Sequence, residues 1–141
     1  MKNRNLKHSD NWATPKEFYE KLNAEFAFDF DPCPLSYNKI TLDKDGLLIE
    51  WGQRNYINPP YSRKIKEAFV KRAIEESKKG KLCVMLLPVS TSTVLFHDFI
   101  KPNANEIRFV RGRIKFVGVN TKGELVNDKS PMHDSMIVIF G

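Results

Sequence analysis

Four consecutive residues, Asn58-Pro59-Pro60-Tyr61, join a carboxamide, two prolines and an aromatic ring. A residue that precedes proline is pushed into extended backbone, and proline itself has a fixed φ. Asn58 and Pro59 each precede a proline, so the Asn58 side-chain oxygen and the Pro59 carbonyl become two rigid acceptors beside an aromatic plate. Two acceptors can take both protons of a planar amino group whose ring stacks on the tyrosine. Taken alone, the tetrapeptide is also a proline-rich turn that ends a strand. His97-Asp98 and His133-Asp134 have neither the HExxH spacing nor a cysteine partner, so they read as surface or capping histidines, and no metal site is expected. Cys33 and Cys83 are too few and too far apart for a disulfide framework or a four-ligand zinc site, and are expected to be small buried residues.

Charge is unevenly distributed. The 141 residues carry a formal net charge of +6. Residues 1–10 contribute +2, 11–61 contribute −3, 62–81 contribute +5 and 101–129 contribute +4, with −1 in each remaining stretch. Such runs are often solvated faces. They also suit one region that receives a cation or hydroxyl-bearing cofactor and another that meets a polyanion. The composition, 41% hydrophobic and 28% charged, is that of a core-forming chain of one domain, and it excludes disorder. No apolar run is long enough to span a membrane, and the polar start lacks a signal-peptide core, which points to an intracellular protein. Residues 1–10 are expected to be a flexible segment before a single domain at 11–141.

The elements that must position the tetrapeptide follow from periodicity. Thr14-Pro15 opens a helix, with Thr14 as N-cap and Phe18, Leu22 and Phe26 at spacing four. Phe26, Phe28 and Phe30 alternate as in a strand, which Asp31-Pro32 ends. Asn55-Tyr56-Ile57 is a short strand that the prolines stop. A helix is expected from Ser62 to about Lys79, with Gly80 as its stop, then a buried parallel strand over 82–87. A second helix over 93–100, a strand over 107–110 and a last strand over 136–140 complete the pattern. Alternating strands and helices imply an α/β sheet covered on both faces, with ligands at the carboxyl ends of the strands. Asp31-Pro32 and Asn58 to Tyr61 then share one rim.

The order of further motifs is more specific. The chain carries Trp12-Ala13-Thr14-Pro15, Phe28-Asp29-Phe30-Asp31-Pro32, Asp45-Gly46-Leu47 with Trp51, Ser62 after Tyr61, Leu86-Leu87-Pro88 and Gly112-Arg113-Ile114-Lys115-Phe116. Across nearly its whole length it resembles the amino-methyltransferases that use S-adenosylmethionine, specifically the phage-type, Dam-like DNA N-6-adenine methyltransferases. The resemblance implies a minimal Rossmann-like class I sheet with helices on both faces and antiparallel strand at the C-terminus. It implies that Asn58, Pro59, Pro60 and Tyr61 are catalytic, and that Thr14 and Pro15 meet the methionine end of the cofactor. Asp31 with Pro32 would receive the cofactor's ammonium or a ribose hydroxyl, and Asp45 would accept from the amino group of its adenine. Taken singly, either Asp is also an ordinary turn or capping residue. Arg63, Lys64, Arg111, Arg113 and Lys115 would contact phosphates, and a solvated helix face or strand edge is the plain alternative.

The chain departs from the wider pattern where Cys33-Pro34-Leu35-Ser36 replaces a glycine-rich loop. Asp31 and Asp45 are only 14 positions apart, so the cofactor region is expected to be abbreviated. Little room is expected for a separate target-recognition part, which leaves sequence choice to loops within 101–135. The implied activity is methyl transfer to the adenine amino group of a base flipped out of DNA, in the cytoplasm of a bacterial host, from a phage or prophage protein of the kind met in restriction-modification. Three other readings stand beside it: methylation of a protein glutamine amide, methylation of the cytosine amino group, and a catalytically silent DNA-binding module. Oligomeric state is open.

Overall fold

The computed structural model describes residues 14–33, 46–60, 62–114, 117–119, 125–127 and 133–141. The expected flexible segment 1–10, Asp45, Tyr61 and Lys115 lie outside them.

Helix α1 (Lys16–Phe26) leads to strand β1 (Arg54–Ile57), helix α2 (Arg63–Lys78) and strand β2 (Leu82–Pro88). A π-type helical segment (Leu95–Ile100) runs into the single turn α3 (Lys101–Asn103), followed by β3 (Glu106–Phe109), β4 (Val117–Val119), β5 (Leu125–Asn127) and β6 (Ser135–Phe140). Four strands form a mixed sheet in the order β1-β2-β6-β3, and β4 pairs antiparallel with β5 in a separate ladder. β1 and β2 are parallel, whereas β6 runs antiparallel to both its neighbours, β2 and β3. The carboxyl ends of β1, β2 and β3 therefore lie on one rim, together with the start of β6. The isolated parallel bridge Phe30↔Asn55 brings the end of segment 28–30 to the same rim.

Side-chain alternation splits the core into two faces. Ile57, Cys83, Met85, Leu87, Met136 and Val138 pack against α2 and the π-type segment. Tyr56, Val84, Leu86, Ile137 and Ile139 pack against Leu22 and Phe26 of α1. Helices thus cover both faces of this α/β sheet, and the antiparallel C-terminal strand is present, as the sequence implies. The continuous apolar run of β2 is buried on both sides, which only a central strand requires. Both cysteines are free and buried.

Several local expectations change. The residue before α1 is Pro15, in extended backbone, and no side chain caps this end, so Thr14 is not the N-cap. The supposed Phe26–Phe30 strand shrinks to the one bridge, because Phe26 is the last residue of α1. Ala27 then turns left-handed at φ 52, its N–H bonded to Asn23 O at 2.8 Å. The helix foreseen over 93–100 is the π-type segment, started by Thr93, whose hydroxyl accepts the Phe96 N–H at 3.1 Å. The β4–β5 ladder has no counterpart in the sequence reading, which assigned that region to loops.

Candidate active site

The end of β1, the bridge at Phe30 and the residues before α1 assemble the site. Tyr56 in β1 points to the α1 face and is only 2% exposed, wedged edge-on against Tyr19 with ring centroids 5.1 Å apart and beside Phe28 at 5.2 Å. Its hydroxyl meets the Thr14 hydroxyl at 2.5 Å. Two residues beyond Tyr56, Asn58 falls on the same face by strand alternation. Its side-chain Nδ2 donates to Thr14 Oγ1 at 3.3 Å. Thr14 is thus held between a tyrosine of the core and the carboxamide of the tetrapeptide. The carboxamide of Asn58 is thereby tethered on its Thr14 side. Pro59 and Pro60, both buried, follow directly.

The rim's acidic element lies next to this. Tyr56 N–H bonds to Phe30 O at 3.0 Å and Asp29 N–H to Arg54 O at 2.8 Å, so Asp31 emerges beside Ile57 and Asn58. The Asp31 carboxylate accepts the Cys33 N–H at 2.9 Å, an Asx-type turn that Pro32 stiffens. Burial pushes the Asp31 carboxyl up to about 6, against the opposing effect of that hydrogen bond. Burial and then the nearby Asp31 charge also raise the Tyr19 phenol. The Cys33 thiol is raised well above its ordinary value, first by burial and second by Asp31, while the Asn58 backbone amide hydrogen-bonds its sulfur. Thr14, Asp31, Cys33 and Asn58 therefore form one cluster, and among the described residues no lysine or arginine forms an ion pair with Asp31.

A turn over residues 46–51 closes the other side. A Cβ built on Gly46 would lie 1.9 Å from Pro32 O, so only glycine lets this turn approach the Asp31-Pro32 corner. The turn is pinned from beneath. Trp51, 3% exposed, donates its indole N–H to Gly46 O at 2.6 Å and stacks with Phe69. Arg72 of α2 donates to Leu47 O at 2.8 Å and to Ile49 O at 2.7 Å, and its guanidinium lies over the Trp51 ring. Arg72 is itself fixed by Glu76 at 2.7 Å, and Lys81 bridges Glu76 at 2.9 Å and Trp51 O at 3.1 Å. Burial pushes the Glu76 carboxyl up, but hydrogen bonds from Lys81, Arg72 and Lys79 outweigh it and hold it at about 2.

A family model described as "DNA N-6-adenine-methyltransferase (Dam)" matches residues 2–141. The chain belongs to that family. It is also 33% identical over 109 residues to a DNA N-6-adenine-methyltransferase of Escherichia phage T1, in an alignment covering 72% of this chain and 44% of that protein. The chain thus spans less than half the length of this relative. No solved structure matches it.

The basic residues singled out by this family's pattern divide between two places on the same rim. Arg63 and Lys64 open α2 immediately after the tetrapeptide, both exposed, with Arg63 Nε 3.3 Å from Glu67. Arg111 and Arg113 flank Gly112 (φ 76) just past the end of β3, also exposed, with Arg113 Nε 3.1 Å from Asp134. His97 packs edge-on against Phe96, in keeping with a surface role. Among the described residues no His/Cys/Asp/Glu group could hold a metal ion, and no helix is long and apolar enough to cross a membrane.

Sequence reasoning missed Tyr56 as the anchor of Thr14, Cys33 as the joint between the two motifs, and the Arg72–Glu76–Lys81 network. The i, i+4 spacing of Arg72 and Glu76 was visible, but its inward direction was not.

Proposed function

We propose that this chain transfers a methyl group from S-adenosylmethionine to the exocyclic amino nitrogen of adenine in DNA. Family membership supports the reaction class. The observation that supports the residue-level reading is the position of the Asn58 carboxamide, at the end of β1, hydrogen-bonded to Thr14 and in one cluster with Asp31 and Cys33. The sheet supports a Rossmann-like class I assignment: β1, β2 and β3 share one direction, and the antiparallel β6 is inserted between β2 and β3.

The residues present fit the cofactor. Asp31 is a largely buried carboxylate without an ionic partner among the described residues, and such a group seeks a cation. The methionine ammonium of S-adenosylmethionine would supply one, with Thr14 and Pro15 lining that end. Asp45, directly before the Gly46 turn, would take the amino group of the cofactor's adenine. When bound, the cofactor supplies a methyl carried on a sulfonium.

The chain's own part is positioning and electrostatics. The target amino nitrogen is a poor nucleophile because its lone pair is delocalised into the ring. Acceptance of its two protons by Asn58 Oδ1 and the Pro59 carbonyl favours a tetrahedral nitrogen with its lone pair aimed at the methyl. The same two dipoles stabilise the positive charge that develops there. Tyr61 would stack on the flipped base. Asn58 in the first motif position favours adenine over cytosine.

Incubation of the protein with radiolabelled S-adenosylmethionine and unmodified DNA, followed by digestion to nucleosides, tests this reading. Label in N6-methyl-2′-deoxyadenosine is expected, and Asn58→Ala should abolish it while leaving cofactor binding largely intact. Label in the protein, in cytosine, or nowhere would overturn the proposal in favour of the corresponding alternative.

A further inference from the structure

A second concavity lies on the opposite face of the sheet from the Thr14–Asn58 cluster. It is a cleft of about 420 Å³ between the first turns of α2, the end of β2 and the start of the π-type segment. Leu87, Leu95 and Met136 form an apolar floor, and all three belong to the α2-face core. Val94, 68% exposed, stands at its mouth. Arg63, Lys66 and Glu67 form the polar wall. Arg63 and Glu67 pair with each other, so their charges largely cancel. Lys66 is only partly exposed, and its ammonium forms no ion pair among the described residues. Burial lowers its ammonium from the ordinary value, with the Glu67 charge acting the other way and the Arg63 charge reinforcing the shift.

An apolar slot whose wall carries two cations against one carboxylate fits a group that is flat and apolar on one side and anionic on the other. A nucleotide has that character. Position narrows the choice further: α2 begins two residues after Tyr61, so the cleft flanks the tetrapeptide, while Asp31 and Thr14 lie across the sheet. We propose that this cleft receives the nucleotide next to the target in the DNA strand, its base against Leu87 and Met136 and its phosphate on Lys66. The proposal rests on DNA being the substrate. It makes Lys66 a positioning residue that also contributes to sequence choice, since the floor meets a base rather than the backbone alone.

The test uses the full chain and a duplex whose methylated adenine has been mapped. Lys66→Gln should raise KM for DNA about tenfold, the loss of one charged hydrogen bond. It should also make the log KM against log salt plot shallower by about 0.9, the share of one phosphate. Cofactor affinity and kcat at saturating DNA should stay unchanged. Lys66→Met, which keeps the aliphatic stem, should behave alike. In the wild-type protein, removal of one base adjacent to the target should raise KM, and the same abasic duplex should cost Lys66→Gln less. Unchanged KM and salt slope in both variants, or indifference of the wild type to every adjacent abasic position, would overturn the cleft assignment alone. Failure of the wild-type protein to label DNA would overturn both readings.

Discussion

Glu76 is the residue whose removal should report most directly on how the turn over residues 46–51 is held. It sits on α2, 1% exposed, and its carboxylate meets Arg72 at 2.7 Å, Lys81 at 2.9 Å and Lys79 at 3.2 Å. Glu76→Gln keeps the shape and removes the charge, leaving two inward cations with no anion between them. The carboxyl is held at about 2 against an ordinary 4.5, which corresponds to about 3 kcal/mol at about 1.4 kcal/mol per tenfold change. That agrees with the roughly 3–5 kcal/mol typical when one partner of a buried pair is deleted. For a chain of this size it amounts to a fall of about 10 °C in melting temperature. The sign with pH follows. The folded-state value lies below the unfolded one, so the stabilisation is complete above about 4.5 and is lost as pH falls toward about 2. Chemical denaturation of wild type and Glu76→Gln between pH 7 and pH 3 measures both effects: a large gap at pH 7 that narrows as the pH falls below about 4.5. Arg72 also holds Leu47 O and Ile49 O, so cofactor affinity should fall with stability. A Glu76→Gln protein as stable as wild type at pH 7 would refute the view that this network holds the turn.

Two further predictions concern the site itself. Thr14→Val removes the acceptor that fixes the Asn58 amide; kcat should fall about tenfold or more, whereas Thr14→Ser should restore it, and a change confined to cofactor affinity would assign Thr14 to the cofactor alone. Asp31→Asn removes a buried charge whose carboxyl burial has pushed up to about 6. Denaturant titration at pH 7 should therefore show a gain of up to about 3 kcal/mol. Equilibrium dialysis should show much weaker cofactor binding by that variant, and wild-type affinity declining as pH drops below about 6. A destabilised Asp31→Asn protein would contradict the unpaired state of this carboxylate.

How much of this was legible in the sequence depended on whether a signal was local. Proline stereochemistry at Asn58-Pro59-Pro60 and the apolar run of β2 are written in neighbouring residues, and both led to the right elements. The shared rim of Asp31 and Asn58 was also foreseeable, although Asp31 follows a single parallel bridge at Phe30 where a strand was expected. Thr14 was misread for an instructive reason. A threonine before proline looks like a helix cap, and only the folded chain reveals that its hydroxyl has better partners in Tyr56 and Asn58, more than 40 positions away. Phe26 and Phe28 pack in one aromatic cluster with Tyr56 and Tyr19, whereas Phe30 packs against the α2-face core, so the alternation reflects packing on two faces around a single bridge and not a full strand. The proximity of the Gly46 turn to Pro32 depends on a missing Cβ and a distant arginine, which no pattern within a window of the sequence contains.

Net charge per stretch was the weakest guide, and the fold explains why. Residues 62–81 carry +5, yet Arg72, Lys79 and Lys81 all converge on Glu76 and two of these cations point inward. In the second basic stretch, Arg108 makes a bidentate pair with Glu25 at 2.8 and 2.6 Å, tying β3 to α1, and contacts Glu106 as well. Among the described residues, the cations at the carboxyl rim that form no ion pair are Lys64 and Lys66 after the tetrapeptide and Arg111 after β3. The two sets should separate cleanly by measurement. Alanine at Arg72 or Lys81 should lower the melting temperature and leave the salt slope of DNA binding untouched, because those cations never face the solvent side of the rim. Alanine at Lys64 or Arg111 should leave the melting temperature within a degree or two and reduce the slope by about 0.9 each. A reduced slope on mutation of Arg72, or no change on mutation of both rim residues, would mean that DNA approaches a different surface, and the shared rim of β1, β2 and β3 would lose its claim to be the face that meets substrate.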